Sequence, residues 1–234
     1  MELSKRLSAV AGLVTEGASV ADIGTDHGYI PIYLVQSGKC PFCIAMDVNK
    51  GPLERARLHV KGHLLGDQIE LRLSDGLKEL KAGEVEEMIA AGMGGNLVIR
   101  ILQDSPRVSD SLKCLILQPQ SEIAKVRRYL NTHGFRIWQE DMVFEDGKYY
   151  PMMKAYHGLP ENYEEWEYLY GKRLLEMRHP VLWEYLQREE DIKESVLLQL
   201  WKHRESESAK ERIKEVEAEL TLIRRALEVY QDAM

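Results

Sequence analysis

Long apolar runs are missing from this 234-residue chain. None approaches the ~20 residues that a bilayer-spanning helix requires, which excludes a chain threaded through a membrane as helices. The opening residues, Met1-Glu2-Leu3-Ser4-Lys5-Arg6, hold no apolar core and no small-residue cleavage site, so no signal peptide is expected. The expectation is a soluble, cytoplasmic protein. An excess of positive charge is missing too: Lys and Arg number 31 against 38 Asp and Glu, a net charge of −7. A polyanionic partner must therefore be met by a local patch and not by the general field. Cysteine is sparse. Cys40-Pro41-Phe42-Cys43 has the C-x-x-C spacing of metal and redox sites, but zinc needs a second ligand pair. The chain offers only an isolated Cys114 and scattered histidines. Cys43 also lies in the apolar run Phe42 to Met46, where cysteine packs as a small hydrophobe. No metal is expected.

What is present reads as an ordinary globular chain, 44% hydrophobic and 29% charged. Its length fits one large domain, or one with an appendage. The acidity is uneven: residues 161–234 hold 12 Lys and Arg against 18 Asp and Glu, while residues 1–160 hold 19 against 20.

Leu3, Leu7, Val10, Ala11 and Val14 recur at helical spacing, and Gly17 closes that helix. Strands follow at Ser19–Ile23, Phe42–Met46, Ile69–Leu73, Met88–Ala91 and Cys114–Leu117. Helices alternate with them at Tyr29–Gln36, from Asn49 along the stripe Leu53, Ala56, Val60 and Leu64, at Asn96–Gln103, and at Ser121–Asn131 with Ser121 as N-cap. Such alternation predicts a parallel sheet. Phe135–Val143 and Tyr149–Tyr156, joined across Asp146-Gly147, predict a hairpin that adds one antiparallel strand at the edge. Gly158-Leu159-Pro160 marks a boundary, giving a first domain over 1–159 and a helical one over 160–234. There, helices are expected at Asn162–Met177, Val181–Trp201 and on to Tyr230. Two apolar seams (Leu182, Tyr185 or Leu186, Ile192, Val196, Leu200; then Ile213, Val216, Leu220, Ile223, Leu227) predict an antiparallel, coiled-coil-like helical hairpin.

The chemistry concentrates at strand ends. Asp22-Ile-Gly24-Thr-Asp26-His27-Gly28-Tyr29 is a strand, a tight turn and a helix start. Asp26 stands where the dinucleotide fingerprint G-x-G-x-x-G has its second glycine. A carboxylate there repels a pyrophosphate, which disfavours a nicotinamide cofactor, and it suits a ligand with a cationic end. S-adenosylmethionine is such a ligand. Asp47 ends the second strand, 19 residues after Gly28, about where nucleoside-binding α/β domains carry the carboxylate for ribose hydroxyls. Asp75-Gly76 and Gly92-Met93-Gly94-Gly95 end the third and fourth strands. Together these turns line one crevice, with Gly92 and Gly94 leaving room for a second substrate.

Asp-Ile-Gly-Thr-Asp-His-Gly-Tyr-Ile-Pro, Met-Asp-Val-Asn, Ser-Asp-Gly-Leu, Ala-Gly-Met-Gly-Gly and Leu-Gln-Pro-Gln, in this order, resemble the bacterial tRNA adenine-22 N1-methyltransferase family. The resemblance spans the whole chain. It implies an α/β, Rossmann-like class I methyltransferase sheet of seven strands, mostly parallel with one antiparallel edge, and an all-helical extension. It implies S-adenosylmethionine held among Asp22, Gly24, Asp26, His27, Gly28, Asp47, Asp75, Gly76 and Gly92. It also implies methylation of an adenine N1 in the D-arm region of tRNA.

For that chemistry, Gln118, or a backbone carbonyl near Gly92, is a candidate acceptor for the adenine N6 amine, beside Pro119, Met93, Gly94 and Gly95. The alternative for Gln118 is to cap the helix at Ser121. Asp26 is a candidate for the methionine ammonium or for shaping the turn. Tyr29 is a candidate for stacking on a flipped base. Lys5, Arg6, Arg55, Arg57, Arg100, Lys125, Arg127 and Arg128 are expected to form a basic rim. Competing readings are a small-molecule methyltransferase and a nucleoside-binding interaction module. A monomer is expected.

Overall fold

The computed structural model describes residues 1–231; the last three positions of the expected helical region, 232–234, lie outside the described residues. In sequence the chain divides into two compact units after Glu161.

The first unit is built on alternation. Strands β1 (Val20–Ile23), β2 (Cys43–Asp47), β3 (Ile69–Leu73), β4 (Glu87–Met93) and β5 (Cys114–Pro119) are parallel, and the sheet order is β3-β2-β1-β4-β5-β7-β6. Ala21, Ile23, Ile44, Met46, Met88, Ala90, Leu115 and Leu117 point to one face, and the residues between them, including Val20, Cys43, Ala45, Ile89 and Ile116, point to the other. A period of two along strands buried on both faces demands helices on both sides. Helices α4 (Gly95–Asp104) and α6 (Ile123–Thr132) cover the first face; α1 (Lys5–Gly12) and α2 (Tyr29–Gln36) cover the second. Helix α3 (Lys50–Gly62) and a short helix α5 (Pro106–Ser109), which the sequence pattern does not announce, complete the layer.

The closing hairpin comprises β6 (Phe135–Glu145) and β7 (Lys148–His157). Its two-residue turn, Asp146 and Gly147, is left-handed at both positions, with φ of 49° and 76°, the geometry that matches strand twist. β7 enters antiparallel beside β5, with β6 outermost. The seven-stranded, mostly parallel sheet with an antiparallel contribution at this edge is the expected one.

Several local expectations are corrected. Helix α1 stops at Gly12, well before Gly17. Leu64 is 90% exposed and leaves the α3 stripe, which ends at Val60, because the chain turns left-handed at Leu64 with φ 59°. Ser121 is not the cap of α6: Glu122 occupies that position, left-handed and without a side-chain cap, and the Ser121 hydroxyl donates to the Glu122 carboxylate. Arg127 is not part of any rim. Its guanidinium is fully buried, with Nε donating to Glu140 Oε1 at 2.7 Å inside the sheet–helix layer.

The second unit holds α7 (Glu165–Tyr170), α8 (Lys172–Glu176), α9 (Pro180–Trp201) and α10 (Glu207–Gln231). Gly171, at φ 98°, divides the expected first helix into α7 and α8. The last two helices run antiparallel: the Tyr230 hydroxyl donates to His179 O at 3.0 Å, and Arg224 bridges Glu190 and Glu194. Leu182, Leu186, Val216, Leu220, Ile223 and Leu227 are buried as expected, whereas Ile192 is 42% exposed.

Removing one member of a buried ion pair strands the other charge at a cost of about 3–5 kcal/mol. Arg127→Ala is therefore expected to lower unfolding free energy by that amount in urea titration. Arg127→Met combined with Glu140→Leu is expected to recover most of it.

Candidate functional site

The order of the sheet reverses between β1 and β4, so α2 leaves the end of β1 on one face and α4 leaves the end of β4 on the other. The divergence opens a crevice at the carboxyl ends of those strands, where α/β sheets bind ligands. A cavity of about 220 Å³ lies there, lined by Arg6, Asp22, Gly24, Asp26, Tyr29 and Ala91 among others. A larger one, about 660 Å³, lies between α3 and edge strand β3; it takes in Arg57 and Lys61, which places Arg57 away from the crevice.

Gly24, Gly28, Gly76 and Gly92 all have positive φ. Gly24 shows why a side chain is excluded: a Cβ would lie 2.9 Å from Met93 Cε, in a left-handed backbone at φ +76°. At Gly24 the turn therefore presents only backbone to the crevice. Gly94, expected with Gly92 to leave room for a second substrate, and Gly95, expected beside the acceptor, are both closely packed. A Cβ on Gly95 would meet Ser121 O at 2.5 Å and Val126 Cγ2 at 2.8 Å, and one on Gly94 would meet Ser121 Oγ at 3.1 Å. These glycines allow α4 to pack closely on the start of α6.

The carboxylates differ sharply. Asp22 is buried, and its pKa is raised to about 6 by desolvation, with the Asp47 charge adding to the rise and Thr25 opposing it. Asp47 accepts from Asn49 N–H at 2.7 Å at the end of β2. Asp75 is paired with Lys78, which lowers its pKa, with a smaller lowering from the Arg100 charge. Asp26 lines the cavity, yet its exposed carboxylate is held by Arg55 Nη2 at 2.9 Å. Asp26 and Arg55 thus partner each other at the rim of the cavity, from largely exposed positions.

Tyr29 is 37% exposed and is not a core residue. Its ring lies nearly parallel to His27, centroids 5.2 Å apart, and His59 completes a three-ring cluster at 5.3 and 5.6 Å. His59 Nδ1 meets His27 O at 3.0 Å, while His27 Nδ1 is buried without a partner.

Gln118 is fully buried at the end of β5. Its Oε1 accepts from Arg6 Nη1 at 2.9 Å and from Gly92 N–H at 3.1 Å, and Nε2 approaches Pro119 O at 3.4 Å. Both lone pairs of the amide oxygen are thereby occupied. Gln118 neither caps α6 nor has an oxygen to offer a ligand, which corrects both expectations for it. Pro119 is buried beside it.

Of the remaining expected cations, Lys5 Nζ donates to Phe144 O at 3.3 Å and Lys125 Nζ to Asn96 Oδ1 at 2.6 Å, both from exposed positions. Arg100 is exposed on α4, and Arg128 is half-buried on α6. His59, Tyr150 and Glu145 were not expected near the site. Glu145 accepts from the backbone N–H of Lys5 at 2.6 Å and of Arg6 at 3.4 Å, so the hairpin end caps the first turn of α1. No local pattern announces a contact across 140 residues.

Cys40 and Cys43 are buried, their sulfurs 3.3 Å apart, and Cys114 is buried in β5. Among the described residues no three His, Cys, Asp or Glu side chains are grouped to hold a metal, and no helix is long and apolar enough to cross a membrane.

Residues 3–153 match the model of a family described as a methyltransferase domain. The tRNA (adenine(22)-N(1))-methyltransferase of Bacillus subtilis is 37% identical over 158 residues, which cover 68% of this chain and 66% of that protein. The crystal structure of the B. subtilis m1A22 tRNA methyltransferase TrmK superposes with a TM-score of 0.84 at 31% identity, covering 96% of this chain and 98% of that one. TrmK of M. capricolum, solved with S-adenosyl-homocysteine, gives a TM-score of 0.84 at 27% identity, covering 98% and 99%.

Because Asp22 has a folded-state pKa above its usual 3.8, the native state holds that proton more tightly than the unfolded chain. Its contribution to stability is present below pH ~4 and is lost as pH rises through about 6. Asp22→Asn is expected to flatten this part of the stability–pH curve in urea titrations. A ligand whose cationic group meets Asp22 is expected to bind more weakly as pH falls below about 6, and calorimetry on the wild type and Asp22→Asn checks both.

Proposed function

This chain belongs to the methyltransferase domain family, and from that premise we propose that it transfers the methyl group of S-adenosylmethionine to N1 of adenine 22 in tRNA. The observation that carries the reading is the crevice at the β1–β4 divergence. Gly24 in a left-handed backbone, the buried Asp22 carboxylate and Asp26 line it, in a chain similar to a tRNA (adenine(22)-N(1))-methyltransferase. The cytoplasm, where tRNA is, is the place it would work.

The residues fit the cofactor. The polar and cationic ligand end suits Asp22, whose carboxylate is expensive to ionise without a cation beside it. Asp47 would hold the ribose hydroxyls, and the Asp75-Gly76 turn would flank the adenine. When bound, the cofactor supplies a methyl on a sulfonium, so that the adenine N1 lone pair forms the new C–N bond as the C–S pair returns to sulfur. The protein's contribution is to hold the two partners in line, and such positioning supplies much of the acceleration.

The acceptor adenine must leave its stack to reach the crevice. Tyr29, backed by His27 and His59, offers a ring face at the cavity for it. Gln118 has no free acceptor for N6, which leaves a backbone carbonyl near Gly92 for that contact. Lys5, Arg100 and Lys125, from exposed positions, are the cations offered to tRNA phosphates.

Tritiated cofactor is expected to label tRNA bearing adenine at position 22 and to leave the same tRNA with guanine there unlabelled. Nuclease digestion and mass spectrometry are expected to place the methyl on N1. Label appearing only in small acceptors overturns the reading. Tyr29→Ala is expected to raise the KM for tRNA by about 5- to 100-fold, the range of one base–aromatic stack, in steady-state kinetics.

A further inference from the structure

Most arginines of the first unit have their charge answered by a carboxylate. Arg55 meets Asp26, Arg57 meets Glu54, Arg72 meets Glu70 and Glu84, Arg127 meets Glu140 and Arg136 meets Glu161. Arg6 lines the crevice and is held differently. Its Nη1 donates to a neutral amide, Gln118 Oε1, at 2.9 Å, and its guanidinium carbon lies 5.5 Å from the centroid of the Tyr150 ring. Neither partner neutralises it.

The arrangement is built from three distant parts of the chain. Glu145 caps the first turn of α1 and so sets where Arg6 leaves the helix. Tyr150, on the other strand of that hairpin, provides the face on which the guanidinium lies. Gln118 is locked in turn, because the same oxygen that receives Arg6 receives the Gly92 N–H. Gly92 runs beside it in a left-handed backbone at φ +81°, its Cβ position 3.5 Å from Arg6 Nη1. A guanidinium fixed in this way spends one donor on its anchor and keeps four, with its full charge directed at whatever enters.

We propose that Arg6 is the oxyanion-binding residue of this crevice and that Gln118 is the positioning residue that presents it. The inference rests on the methyltransferase reading above and deepens it. The oxyanion is either the carboxylate at the methionine end of the cofactor or a phosphate of the extruded nucleotide. Both are planar or tetrahedral oxygen groups that a guanidinium fork engages.

Three variants of the full chain test it: Arg6→Met, Gln118→Glu and Gln118→Ala, each with a urea melt to verify folding. Gln118→Glu is the discriminating one. It keeps an oxygen where Arg6 and Gly92 donate, gives up only the long Nε2 contact to Pro119 O, and sets a carboxylate against the guanidinium. If Arg6 meets the cofactor carboxylate, Arg6→Met and Gln118→Glu weaken S-adenosylhomocysteine about 10- to 100-fold in calorimetry. Decarboxylated S-adenosylmethionine then binds all forms alike. If Arg6 meets a phosphate, S-adenosylhomocysteine binding is unchanged, the KM for tRNA rises by a similar factor, and the slope of log affinity against log salt falls by about one. Gln118→Ala shifts the same quantity in the same direction, by less. Wild-type values of both quantities in a folded Arg6→Met overturn the proposal, and so does a Gln118→Glu protein indistinguishable from wild type. Failure of the tRNA reading is separately visible, because the wild type would then label no tRNA while its S-adenosylhomocysteine affinity could still be compared with that of Arg6→Met.

Discussion

The divergence of the chain at the ends of β1 and β4 is the constraint on which the rest of this protein depends. A parallel sheet buried on both faces sends successive helices to opposite sides, and the one place where neighbouring strands part company leaves backbone uncovered. Gly24 and Gly92 stand on the two sides of that gap. Everything argued for the site follows from the opening they border. It provides room for a ligand edge-on to the sheet, and it is walled by the residues that terminate neighbouring strands.

Charge inside the opening is arranged by contrast. Asp22 is buried and reluctant to ionise; Arg6 carries its charge against an amide and a ring. A ligand with a cation at one point and an oxyanion at another meets both needs. The exposed acids behave otherwise. Asp26 and Asp75 have nearby cations already, so their fields reach the crevice weakened. The glycine cluster divides in the same way, with Gly92 bordering the opening and Gly95 serving the contact of α4 with α6.

The fold was largely legible because its signals are local. The short apolar runs of β1, β2, β4 and β5, the Asp146-Gly147 turn and the seams of α9 and α10 each lie within a few residues of their cause. Where expectation failed, a tertiary partner had intervened. Arg127 looks like a surface cation on an amphipathic helix until Glu140 is found opposite it in the layer. Gln118 looks like a free amide until Arg6 and Gly92 are found on its oxygen. Ser121 fits the pattern of a cap, yet the left-handed Glu122 begins the helix in its place.

By itself the amino-acid order determined the elements, the acidic and glycine-rich strand ends, and the family likeness, since these depend on neighbours in sequence. Only the tertiary structure decided which charges are free. A carboxylate and a guanidinium neutralise each other over a few ångströms of space, whatever their separation along the chain. So the capping of α1 by Glu145, and the bare cation it delivers beside Gln118, had no trace in any local pattern. The strand ends could be read as a crevice; what stands in it was settled by contacts that only folding creates.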